Sequence, residues 1–182
     1  MSLTKERQRS AYLALQEHFG YTSPMQSPRT LKVVVSTGVG KKRDKKQIEL
    51  IEDRLAKITG QKSAPRAAKT SIASFKVREG DTVGLQVTLR GGRMYDFLDK
   101  LIHIALPRTR DFRGLKPAAI DEMGNLTIGI REHTIFPETS DEDLKDVFGF
   151  AVTIVTTAKS KDEAEAFFRH LGFPLRTEVT AK

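Results

Sequence analysis

No cysteine occurs in the 182 residues, and that absence excludes disulfide scaffolds, cysteine-ligated zinc and thiol catalysis together. It fits a reducing compartment, so the cytoplasm is the expected location. Long apolar runs are also missing. No stretch approaches the roughly 18 apolar residues of a membrane-spanning helix. The opening residues, Met1-Ser2-Leu3-Thr4-Lys5-Glu6-Arg7, lack the apolar core of a signal peptide, which predicts a soluble protein that keeps its start. No repeat of fixed period is visible.

Residue sets that carry catalysis or hold a metal are scarce as well. The four histidines, His18, His103, His133 and His170, share no ligand spacing such as HExxH, and each reads as an ordinary surface or half-buried histidine. Glu138, Asp141, Glu142, Asp143 and Asp146 cluster without the glycine and terminal glutamate of a calcium loop, so they read as a solvated or protein-contacting acidic stretch. Gly38-Val39-Gly40-Lys41-Lys42 falls between a strand and a helix, where a phosphate loop would stand. It lacks the earlier glycine and the Ser/Thr of a P-loop, and Arg43 replaces the third glycine of a dinucleotide fingerprint. No cofactor, metal or small-molecule substrate is implied, and no enzyme is expected.

Charge is abundant and uneven. There are 31 Lys and Arg against 23 Asp and Glu, leaving +8 and a pI near 9.8. That balance favours polyanions, either nucleic acid or an anionic membrane surface, and by itself separates neither. Residues 1–120 hold 24 basic against 11 acidic side chains, whereas residues 121–182 hold 7 against 12. Such a chain offers one kind of surface for phosphates and another that repels phosphates and can meet a basic protein.

Hydrophobic spacing outlines the elements. Ala11, Leu15 and Phe19, four apart and followed by Gly20, predict an N-terminal helix. Leu31 to Thr37 is rich in β-branched residues and reads as a strand broken by Gly38-Val39-Gly40. Ile48, Ile51, Leu55 and Ile58 form the apolar stripe of a second helix, capped by Asp44 and closed by Gly60. From Gln61 to Gly84 short strand pieces around a long exposed loop are expected. Val83, Leu85, Val87 and Leu89 alternate with polar residues, so Thr88 and Arg90 face outward from one strand. Phe97, Leu101 and Ile104 predict one side of a third helix ended by Pro107, before a loop holding Arg108, Arg110, Phe112, Arg113 and Gly114. Leu126 to Ile130 and Ala151 to Thr157 read as strands. Ser160 and Glu163 form a capping box for a last helix bearing Ala164, Phe167, Phe168 and Leu171. This order favours an α+β fold, a mainly antiparallel sheet with helices packed on one face. The expectation is one domain over residues 1–182, with exposed loops near 63–82 and 107–124.

Several ordered motifs carry a resemblance. Gln61-Lys62, Thr88-Leu89-Arg90-Gly91, the run Pro107-Arg108-x-Arg110-Asp111-Phe112-Arg113-Gly114 and Ile135-Phe136-Pro137-Glu138 stand between Met25-Gln26-x-Pro28-Arg29 and Phe173-Pro174. Over nearly its whole length the chain resembles the universal 5S-RNA-binding family of large-subunit ribosomal proteins. That resemblance implies a structural α+β domain at the central protuberance. It would bind 5S rRNA beside other 5S-associated large-subunit proteins, contact 23S rRNA and the P-site tRNA, and bridge to a small-subunit head protein.

Site residues carry over position by position. A polar sheet face matching Ser36, Gln61 and Thr88 would read 5S rRNA, with Lys62, Arg66, Lys69 and Arg90 on phosphates. The family usually has asparagine where Ser36 stands; serine keeps a donor and an acceptor but reaches less far. Phe75, Lys76, Val77, Arg78 and Gly80, in the segment Ser74 to Asp81, correspond to the tRNA-contacting tip. Their composition suits backbone contact as well as an ordinary hairpin tip. Lys41, Lys42 and Arg43, with Arg108, Arg110 and Arg113, would meet rRNA phosphates. The second set has a structural reading too, with Asp111 paired to an arginine and Phe112 packed. Glu138, Asp141, Glu142 and Asp143 are the expected protein bridge. The competing expectations are a binder of any polyanion without 5S preference and an enzyme acting on nucleic acid.

Overall fold

A computed structural model describes residues 2–40, 45–139 and 147–176. Among these residues the α-helices are α1 (Leu3–Phe19), α2 (Lys45–Thr59), α3 (Gly91–Lys100) and α4 (Lys161–Leu171). Its strands are β1 (Thr30–Gly38), β2 (Ala64–Ala67), β3 (Thr82–Leu89), β4 (Leu126–Ile130) and β5 (Phe150–Thr156). They form one mainly antiparallel sheet in the order β2-β3-β1-β5-β4, the expected α+β class. Among the described residues, no helix is long and apolar enough to cross a membrane. The Asp44 cap lies outside the described residues.

The chain divides into two compact units, each described on its own. The first comprises Met1–Val33, Arg90–Ile128 and Thr153–Lys182. Here α1 packs against α3 and α4, burying Ala11 and Leu15 of α1 and Ala164, Phe167, Phe168 and Leu171 of α4. Phe168 meets Phe173 edge-on at 5.5 Å, a favoured aromatic geometry. Ser2, at the head of α1, supplies no side-chain cap. Asp99 of α3 takes that role, accepting from the Leu3 and Thr4 amides at 3.0 and 2.8 Å and from the Thr4 hydroxyl. Burial raises the Asp99 pKa, but these hydrogen bonds outweigh it and hold the carboxyl below its ordinary value.

α4 begins with only half of the expected reciprocal cap. Ser160 Oγ accepts from the Glu163 amide at 3.2 Å, while Glu163 Oε2 accepts from the Lys159 amide rather than from Ser160. The buried carboxylate also takes the Tyr21 hydroxyl at 2.5 Å, and burial together with that carboxylate pushes the Tyr21 pKa up. α3 differs from its predicted stripe. After Lys100 the backbone widens into a π turn over Leu101–Ala105, with the Leu106 amide donating to the Leu101 carbonyl. The extra residue rotates everything beyond it. Ile102, Ala105 and Leu106 are buried, and Ile104 is 42% exposed.

The second unit comprises Val34–Leu89 and Gly129–Val152. α2 packs against β3 through Ile51, Leu55 and Ile58, as its stripe predicts; Ile48 is half-buried. In β3, Leu85, Val87 and Leu89 are buried, and Val83 is only partly so because it lines a groove beneath the 68–77 segment. His133 departs from the surface reading. It is fully buried, stacked on Phe148 at 4.4 Å, with Nδ1 accepting the Phe148 amide at 3.4 Å.

Candidate nucleic-acid interface

Strand alternation creates the site in the second unit. Val35 and Thr37 of β1, Leu85 and Val87 of β3, and Phe150 and Val152 of β5 point into the core. The opposite face therefore carries Val34 and Ser36, Gly84, Gln86 and Thr88, and Ala151, all half-buried. These open-face positions include no aromatic ring. Their side chains are short or polar, and a shallow depression opens among Ser36, Gly38, Gly84, Gln86, Gly149 and Ala151.

Gly84 keeps that depression open. A Cβ there would stand 3.0 Å from the Thr37 carbonyl oxygen, tighter than ordinary packing allows. Opposite it on the edge strand lies Arg66, because β2 runs antiparallel to β3 with Arg66 facing Gly84 and Ala64 facing Gln86. The Arg66 Nε–H donates to Gln86 Oε1 at 2.5 Å.

Gln61 reaches β3 from the end of α2. Gly60 closes that helix at φ 68, its amide donating to the Ala56 carbonyl at 2.7 Å. The buried Thr59 hydroxyl lies 2.7 Å from the Leu55 carbonyl and accepts from the Gln61 amide at 3.4 Å, anchoring the exit of the chain. Gln61 Nε2 then donates to the Thr88 carbonyl at 3.3 Å. Two residues 27 apart in sequence, named together with Ser36 in the sequence reading, thus stand side by side. Lys62, on an 86% exposed side chain, lies 3.8 Å from Glu52, a distance at which solvent screens most of the attraction. Lys69 is exposed.

The tip beyond β2 is a small closed hairpin. Ile72 and Val77 exchange backbone hydrogen bonds at 3.0 and 3.2 Å around a helical turn at Ala73–Phe75. Lys76 completes the turn in the left-handed region, φ 52, and Phe75 is 73% exposed. The Arg78 amide donates to Asp81 Oδ2 and the Glu79 amide to Ser71 Oγ. Gly80, at φ 90, donates to the Ala68 carbonyl. Phe75, Lys76, Arg78 and Gly80 are exposed together and Val77 is half-buried.

The remaining predicted residues lie elsewhere. In the first unit Arg90 is exposed at the start of α3, and Arg108, Arg110 and Arg113 are exposed in a loop stitched to 174–176 through Leu115 and Arg176. Phe112 is half-buried and Asp111 is exposed at φ 54. In the second unit Glu138 is exposed within the turn Pro137–Thr139. Lys41, Lys42, Arg43, Asp141, Glu142 and Asp143 lie outside the described residues. Gln86, which lines the depression, was not among the predicted site residues, although its place in the alternation with Thr88 put it on the same strand face.

Comparison with known proteins identifies the family. Residues 23–78 match the family model described as ribosomal protein L5, and residues 82–175 match the model of the C-terminus of the same ribosomal family. The large ribosomal subunit protein uL5 of Rubrobacter xylanophilus is 48% identical over 178 residues, 97% of this chain and 99% of that protein. The proteins of the same name from Anaeromyxobacter sp. (strain K) and Desulfotalea psychrophila are each 47% identical. They cover 89% and 90% of this chain and 91% and 92% of their own length. With both family models matched and relatives nearly half identical over most of its length, the chain belongs to the ribosomal protein L5 family.

Proposed function

We propose that the chain, a structural constituent of the large ribosomal subunit with rRNA and ribosomal proteins as its partners, holds 5S rRNA on the open sheet face of its second unit. The family is structural rather than enzymatic. The observation that carries the reading is the hydrogen bond from the Gln61 amide to the Thr88 carbonyl. It ties the end of α2 to β3, whose outward side chains Gln86 and Thr88 share a strand face, with Ser36 and Gln86 beside the depression. A face without aromatic rings suits ribose, 2′-hydroxyl and phosphate contacts rather than base stacking. Lys62, Arg66 and Lys69 supply phosphate contacts there, and Arg90 supplies one in the other unit.

Further contacts complete the proposal. The tip at Phe75 to Gly80 touches the P-site tRNA through shape and charge, not base identity. Lys41 to Arg43 and Arg108, Arg110 and Arg113 meet rRNA phosphates, and the domain contacts 23S rRNA at the central protuberance. The acidic stretch from Glu138 through Asp143 attracts a basic protein of the small-subunit head. The whole chain works as one RNA-binding domain in the cytoplasmic ribosome.

Affinity for refolded 5S rRNA, measured against a tRNA competitor over a salt series, tests this. Selective binding that Thr88→Ala weakens and Lys76→Ala spares is expected, since the two positions serve different RNAs. Equal binding to both RNAs with the same salt slope, untouched by Thr88→Ala, would show a general polyanion binder instead.

A further inference from the structure

We propose that Gln86 is a positioning residue that holds the Arg66 guanidinium over the sheet depression, so that an RNA phosphate meets an arginine already in place. This deepens the reading of the face as the 5S rRNA surface and rests on it.

An arginine on an edge strand is a poor specificity element when left alone. All four residues of β2 are exposed, and a long side chain with many rotamers loses much of that freedom when it binds. The β2–β3 register supplies the remedy. Arg66 faces Gly84, which has no side chain, and Gln86 is the next residue on that face of β3, diagonal to Arg66. A Cβ at Gly84 would lie 4.0 Å from the Arg66 Cβ. Its absence leaves the path clear, and the Arg66 Nε–H reaches Gln86 Oε1 at 2.5 Å.

The chemistry of the pair favours an anion. Gln86 occupies the inner nitrogen of the guanidinium and leaves the two terminal nitrogens, whose spacing matches two phosphate oxygens. A carboxylate at position 86 would hold the arginine equally well but cancel its charge. An amide holds it and keeps the charge. The depression beside it has a floor of Gly84, Gly149 and Ala151, which lets an RNA backbone approach the strands closely enough to use the fixed arginine.

The test is a double-mutant cycle on the full chain, reading affinity for refolded 5S rRNA against tRNA over a salt series, with Tm as a check on folding. Arg66→Ala is expected to weaken 5S binding about tenfold, and Gln86→Ala about threefold to tenfold. The double variant should be no weaker than Arg66→Ala alone. Gln86→Glu should flatten the salt slope as Arg66→Ala does, while Gln86→Ala leaves the slope nearly intact because the charge remains. Additive effects of the two alanine substitutions would overturn the proposal, since Gln86 would then touch RNA for itself, and so would no effect of Gln86→Ala. Should the unsubstituted protein bind both RNAs equally, the RNA-face reading falls and this inference with it. Selective binding with additive losses removes this inference alone.

Discussion

Thr59 ties the exit of α2 to Gln61 through one hydroxyl. It is 5% exposed, it back-bonds to the last turn of α2, and it fixes the amide of Gln61. Thr59→Val keeps the shape and removes the hydroxyl, leaving the Leu55 carbonyl without that partner. A loss of about 1–2 kcal/mol in urea unfolding is expected. In the same variant 5S affinity should fall as far as in Gln61→Ala, because Gln61 loses its anchor. Equal affinity in the variant and the unsubstituted protein would refute that dependence. Single residues were also where sequence reading was weakest. Gln61 and Thr88 came from a resemblance, and their direct hydrogen bond depends on a helix end and a strand meeting. His133 gave no sign of burial, since a histidine among Ile130, Ile135 and Phe136 is decided by what closes over it.

At the scale of elements, periodicity was legible where the backbone stayed regular. The stripe of α2 and the alternation of β1, β3 and β5 follow directly from periods of about 3.6 and 2. In α3, Phe97 and Leu101 are buried as predicted, and the stripe departs only beyond Leu101, at Ile104, because a π turn inserts one residue and moves the apolar face. Ile102→Ala should therefore cost about 2–5 kcal/mol in denaturant unfolding, and Ile104→Ala well under about 1 kcal/mol. A regular helix carrying Phe97, Leu101 and Ile104 on one side would give the opposite order.

The cap of α1 is also supplied by another element. Asp99 of α3 bonds the amides of Leu3 and Thr4, so Asp99→Asn should destabilise the protein by about 1 kcal/mol at neutral pH. The sign of its pH dependence follows from a folded pKa lowered relative to the unfolded chain. Its contribution is present above the unfolded value, near about pH 4, and disappears as pH falls through the folded value. The difference between Asp99→Asn and the parent, read as urea midpoints, should shrink as pH falls below about 4. A gap unchanged down to about pH 2 would contradict the cap.

For the molecule as a whole, net charge sets attraction and geometry sets choice. A basic excess draws any polyanion, which is why composition alone left nucleic acid and anionic membranes together. In the proposed 5S rRNA complex, Lys62, Arg66 and Lys69 amount to three phosphate contacts. The log–log salt slope they contribute is about −2 to −3, a loss of roughly 16- to 64-fold between about 50 and 200 mM salt. Thr88→Ala should lower the affinity by the same factor at every salt concentration, because no charge is removed. A change of slope in that variant, measured by the same titration, would place Thr88 outside direct recognition.

Sequence by itself determined the α+β class, the helices and strands, and the polar face of β3, because hydrophobic spacing and turn residues act within a few positions of one another. Motif order along the chain was enough to place it beside its family. Tertiary structure alone decided which distant residues share a surface. The Gln61–Thr88 and Arg66–Gln86 pairs depend on helix packing and strand register, and burial of His133 on the segment that covers it. Long-range pairings like these are set by how complementary faces fit together, and no local pattern encodes that fit.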